Sequence, residues 1–149
     1  AVENTLRSIG LDNLVDDFIL QLNRAAENAA TKAKPIFINA ITSITIEDGF
    51  NILSGNDSAA TVYLKGKTYT DLKSTFKPDI QKSLDDVGAT TAWKAVTDAY
   101  NAVPLVTPVS NDLPEYATQK ALNGLFTLVG EEEAKIRKDP AARTSDILK

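Results

Sequence analysis

The sequence predicts an all-α protein: a single domain, residues 1–149, built as one irregular bundle of about eight helices. Three observations carry that expectation. Apolar residues recur at three- and four-residue spacing along nearly the whole chain. Capping residues stand where those stripes begin, and glycine or proline stands where they end. A chain of 149 residues is also long enough to bury roughly 70% of the surface its unfolded form exposes.

The elements follow in order. Gly10 closes a short first helix, and Asp12 is placed to cap the next. Leu11, Leu14, Val15, Phe18, Ile19, Leu22, Ala25, Ala26 and Ala29 then share one helical face. The stretch from Pro35 to Ile46 is rich in Ile and Thr, which favours strand. Yet Ile36, Phe37, Ala40, Ile41 and Ile44 form a helical stripe, and Pro35 suits a first helical turn, so it reads as a separate helix. Thr45 and Asp48 have the spacing of a capping box, and Thr68 with Asp71 repeats it. Between them, Gly55 suits a left-handed C-cap, and Asp57 or Ser58 can cap a helix that ends near Gly66.

Leu72, Phe76, Ile80, Leu84 and Val87 make the next stripe, broken or kinked by Pro78 and ended by Gly88. Trp93, Val96, Tyr100 and Val103 follow a Thr90 or Thr91 cap and stop at Pro104, and Trp93 is expected in the core. Residues 104–113 form the longest loop. Asp112 or Leu113 then opens the longest helix, with Pro114 in its first turn and Tyr116, Ala117, Ala121, Leu122, Leu125, Phe126, Val129 and Ile136 on its inner face. Gly124 and Gly130 inside it imply a close helix contact or a bend. Asp139-Pro140 ends the run, and Thr144 caps a short closing helix with Ile147 and Leu148.

Composition excludes more chemistry than it suggests. The chain has no Cys, His or Met, which removes thiol nucleophiles, disulfides, histidine bases and the usual zinc ligands. No cofactor motif and no catalytic constellation is legible. Sixteen basic and twenty acidic residues give a net charge of −4, and the basic residues alternate with acids, so nucleic acid is not an expected partner. No apolar run reaches the roughly 20 residues of a membrane span. The expected partner is a protein, a small ligand or a second copy of the chain. Two charge clusters stand out. In Glu131-Glu132-Glu133, adjacent carboxylates diverge around the helix, so one of them can face inward and pair with Arg137 four residues on. Arg24 and Glu27, beside small alanines, suggest a buried pair linking helices. Glu131, Glu132 and Asp57 are the metal candidates, calcium being the ion that oxygen-rich surroundings would suit.

Several blocks together resemble a known family. They are Asn23-Arg24-Ala25-Ala26-Glu27, Ile46-Glu47-Asp48 with Ile52-Leu53-Ser54-Gly55, Ala59-Ala60-Thr61, Phe76-Lys77-Pro78, Lys120 to Phe126, Glu131 to Arg137, and Pro140-Ala141-Ala142-Arg143-Thr144. The order is similar to that of the bacterial family called domain of unknown function 4197. The resemblance implies an all-helical protein, exported to the periplasm or secreted, and it implies no catalytic residue. Relatives carry a further N-terminal segment, so the resemblance implies a processed or truncated chain. Arg24, Glu27, Lys120, Arg137 and Arg143 stand in these blocks and are the candidate ligand-binding residues. The function expected is that of a non-enzymatic binding or structural module. The alternatives are a carrier of a small apolar ligand, such as a lipid or pigment, and a calcium-dependent binder.

Overall fold

A computed structural model describes residues 7, 10, 12–102, 104, 105 and 107–139. Among the described residues five α-helices are delimited in chain order: α1 (Asp12–Thr42), α2 (Ile46–Ser54), α3 (Ala59–Asp86), α4 (Ala89–Asn101) and α5 (Leu113–Lys138). No strand occurs among the described residues. The short helix expected before Gly10, the closing helix expected from Thr144, Val103 and Arg143 all lie outside them. So do the side chains of Leu14, Val15, Phe18, Leu22, Ala25, Ala26, Ala29 and Tyr100.

Among the described residues five helices stand where about eight were expected for the whole chain, in part because three expected breaks are absent. Pro35 lies inside α1, and Gly66 and Pro78 lie inside α3. Interior proline costs a helix about 3 kcal/mol. Packing on both sides outweighs that cost. Leu72, Phe76, Ile80 and Leu84 form a ridge of buried side chains that runs straight past Pro78, whose ring stands exposed. Ala33 is buried and the Phe37 ring meets Phe126 edge-on at 6.1 Å, bracketing the exposed Pro35. α1, not α5, is therefore the longest helix, with 31 residues. The second expected capping box is absent for a related reason. Thr68 is buried inside α3, and its hydroxyl donates to the Leu64 carbonyl one turn back at 2.7 Å.

The fold divides into two compact units, Ala1–Lys32 with Lys73–Gln119 and Ala33–Leu72 with Lys120–Lys149, and the divisions fall within α1, α3 and α5. In the first unit Phe76, Ile80, Leu84, Ala89, Leu113 and Ala117 are buried. Gly88 takes a left-handed φ of +69° between α3 and α4, as its place after the stripe predicts. Asp112 caps α5, accepting from the Glu115 amide at 2.9 Å. The preceding loop is held by α4. The Asn101 amide both donates to and accepts from the Val109 backbone, at 2.9 and 2.8 Å. Trp93 is half-buried rather than core, because its indole N–H reaches out to the Ser110 carbonyl at 3.0 Å. Tyr116, expected on the inner stripe, stands exposed. Lys73 and Lys77, one turn apart on α3, converge on Glu115 of α5 at 2.5 and 2.9 Å.

In the second unit Leu72, Leu122 and Phe126 form the apolar centre, with Tyr69 stacked on Phe126 at 6.4 Å. α2 begins with the capping box read from the sequence. Asp48 donates its amide to the Thr45 hydroxyl, and its carboxylate accepts from the Thr45 amide, both at 3.1 Å. Gly55 does not take the left-handed cap; its backbone is extended, with φ −78°. Glycine is needed there for space, since a Cβ would lie 2.5 Å from the Ala59 Cβ and 2.9 Å from the Asn51 carbonyl oxygen. Gly124 faces open space, so neither a close contact nor a crowded neighbour explains it, whereas Gly130 packs on the Thr61 side chain at 3.7 Å.

Two predictions follow from these contacts. Gly66→Ala and Gly124→Ala place a methyl in open helical positions and should each stabilise by about 1 kcal/mol. Gly55→Ala should destabilise by about 1–3 kcal/mol, and thermal unfolding of the three variants measures both signs. The second concerns acid. The Lys73 and Lys77 ammonium groups and the Gln119 amide hold the Glu115 carboxyl down from its usual 4.5 to about 2. Its ionised form is favoured by folding, so that stabilisation is complete above about pH 4.5 and is lost as pH falls towards 2. The melting temperature should drop across that interval, and Glu115→Gln should flatten the drop.

Candidate functional site

The residues that organise the second unit's surface come from α5. Glu133 and Arg137 lie one turn apart on it and form an ion pair at 2.8 Å, with the Glu133 side chain 8% exposed and that of Arg137 22%. Each then reaches a different helix end. Glu133 accepts from the Ala60 amide at 2.9 Å and from the Thr61 amide and hydroxyl, both at 2.7 Å. Those amides belong to the first turn of α3, where no intrahelical acceptor exists. Arg137 donates to the Ile52 carbonyl in the last turn of α2 at 2.7 Å. A carboxylate thus meets the positive end of one helix dipole and a guanidinium meets the negative end of another. The turn between them needs this help. Ser58 sits at the cap position, but its hydroxyl turns to Asn56 Oδ1 at 3.0 Å. Asp57 is drawn to Lys138 at 2.8 Å. Neither performs the capping the sequence suggests, and Glu133 takes it over from 72 residues away.

The inward member of the Glu131–Glu133 cluster and its pairing with Arg137 are as the spacing indicates. The form of the pair differs. Both guanidinium donors, Nε at 2.9 Å and Nη2 at 2.8 Å, converge on Oε1, because Oε2 is committed to Thr61. Burial pushes the Glu133 carboxyl up, but the Thr61, Ala60 and Arg137 donors together outweigh it, and the net direction is down. At α2, the Thr45 hydroxyl and amide lower the Asp48 carboxyl. Desolvation and then the Asp48 charge raise the Tyr63 phenol, which lies 3.4 Å from that carboxylate.

The other candidates are dispersed. Arg24 and Glu27 are both exposed on α1, in the first unit, so the buried pair expected there is absent. The small alanines beside them do not bring a helix over these two side chains. Lys120 is exposed on α5. Glu132 pairs with Lys135 and Asp57 with Lys138, while Glu131 is exposed. No group of three or more acidic side chains that could hold a metal ion occurs among the described residues.

Beside the clamp lies an open groove of about 870 Å³. Leu53 of α2, Leu64 of α3 and Leu125, Leu128 and Ile136 of α5 make it apolar, and Glu133 and Arg137 also line it. Next to it α2 presents Ile46, Phe50 and Leu53 at i, i+4 and i+7, exposed to 83%, 69% and 75%. α2 contributes no buried residue at all. Leu53 belongs both to this stripe and to the groove wall. The sequence reading missed the surface. The stripe was visible as a spacing, but spacing does not say whether a stripe is covered.

A family model described as Protein of unknown function (DUF4197) matches residues 1–149. The chain belongs to that family. The blocks quoted above fall throughout the matched length, and those at α2, at the start of α3 and at Glu131–Arg137 supply the three parts of the clamp. No curated protein and no solved structure matches the chain. No single described helix is long and apolar enough to cross a membrane.

Removing one partner of the clamp should be costly. Glu133→Ala leaves the Ala60 and Thr61 amides without their acceptor and takes from Arg137 its carboxylate partner, and should destabilise by about 3–5 kcal/mol. A double-mutant cycle with Arg137→Met, read by urea unfolding, should show coupling well above the ~1 kcal/mol of an exposed pair.

Proposed function

We propose that this chain is a non-enzymatic binding module whose site is the α2 stripe together with the adjoining groove, and that the site receives an apolar, elongated partner segment. The observation that carries this reading is the exposure of Ile46, Phe50 and Leu53 on one helix face beside an apolar groove. Soluble proteins seldom leave large apolar side chains contiguous and bare except where something docks. Helix-in-groove recognition uses the same i, i+4, i+7 anchors. An exported location, implied by the family resemblance, belongs to this proposal.

The carrier of a small apolar ligand is the second reading. The groove volume of about 870 Å³ favours it, being within the ordinary range for ligand sites. Its open side argues against it, since such sites enclose most of their ligand. Lysines engage Glu132 and Asp57, which gives a calcium site no supporting observation.

Nile red, a neutral apolar dye, tests the site. Titrated against dilute protein, it should brighten on binding. Leu128→Glu, at an exposed groove position, should weaken that binding at least tenfold with helix content unchanged by circular dichroism. Equal dye binding by both proteins would remove the groove from the proposal.

A further inference from the structure

We infer that the partner segment is α2 of a second copy, seated in the groove while the first copy's α2 occupies the groove of the second. This rests on the binding reading above and names its occupant.

The argument begins with what one copy carries. It holds both halves of a helix-in-groove contact: a stripe at i, i+4 and i+7, and an apolar groove. A foreign helix seated in the groove alone meets only Leu53 of the stripe, since Ile46 and Phe50 do not line the groove. A small ligand would do the same. A second copy covers both at once, because in a two-fold contact each residue that inserts on one side also receives on the other. Leu53, shared by stripe and groove wall, then lies beside the two-fold axis.

Area points the same way. A large apolar side chain corresponds to on the order of 100 Å² of transferred surface, so the stripe supplies about 300 Å². A standard interface takes about 800 Å² from each partner. The stripe alone is too small, and the stripe with the groove walls from the same copy approaches the requirement. A lipid surface fits less well. Interfacial helices carry Lys and Arg on their polar face, whereas α2 carries Glu47 and Asp48 and no basic residue. At the groove Lys138 pairs with Asp57 and Lys135 with Glu132, so these four side chains bring no net charge to the contact.

Sedimentation equilibrium of the intact chain from roughly 1 to 100 μM tests this. The expected result is a reversible monomer–dimer equilibrium, with Phe50→Asp raising the dissociation constant at least tenfold. The absence of cysteine allows a second measurement, by cross-linking. Leu53→Cys, treated with the short thiol cross-linker bismaleimidoethane, should form covalent dimer at least tenfold faster than Lys82→Cys, an exposed position in the other unit. Nile red separates the two claims. Its signal per chain should fall as the protein concentration rises through the dimer range. A chain that stays monomeric and cross-links at the control rate, yet binds the dye in its groove, overturns the second copy and keeps the groove. A monomer that binds no dye overturns both. A monomer that pellets with phosphatidylcholine vesicles overturns the second copy in favour of a lipid surface.

Discussion

One carboxylate, that of Glu133, fixes the arrangement of the second unit's surface. It replaces a cap that the Gly55–Ser58 turn does not supply, and it holds Arg137 against the end of α2. Both helix ends it serves carry uncompensated backbone groups of opposite sign. The pair is set deep enough that losing a partner strands a charge, and it is satisfied by enough donors that the carboxyl stays ionised. Gly130, one turn before Glu133, packs against Thr61 at ordinary contact distance, so α5 approaches the start of α3 where the hydrogen bonds need it.

This mode of attachment explains why α2 can show its apolar side. A nine-residue helix is too short to be stable on its own and usually depends on burying a face. α2 buries no residue. A capping box at its start, a guanidinium at its end and the Tyr63 contact to Asp48 hold it instead. Polar anchoring leaves the stripe uncommitted. A helix held by packing would have spent those three side chains on its own core.

The sequence was informative where a decision is local. Thr45 and Asp48 form their box because four consecutive residues suffice. Gly10 and Gly88 take positive φ because only nearby chain geometry is involved. That one of Glu131–Glu133 turns inward was legible, because three adjacent carboxylates cannot all face water equally; that it is Glu133 is set by the amides at the start of α3. Sequence reasoning failed where a local cost competes with a distant gain. Pro35 and Pro78 break helices locally but are overridden by the burial of neighbours on the same helices, Ala33 beside Pro35 and Phe76 and Ile80 beside Pro78. Arg24 and Glu27 looked enclosed because small residues flank them, yet small residues permit an approach without compelling one. Whether the 46/50/53 stripe is covered depends on α3 and α5, which no spacing within α2 records.

The clamp also has a consequence in time. Thr61 and Glu133 are 72 residues apart along the chain. A ribosome adding 5–20 residues per second releases the second roughly 4–14 s after the first. Through that interval the start of α3 has no acceptor and α2 has no anchor at its far end. The nascent chain therefore displays its apolar stripe before the geometry that orients it exists, and final order at this surface is set by the arrival of α5.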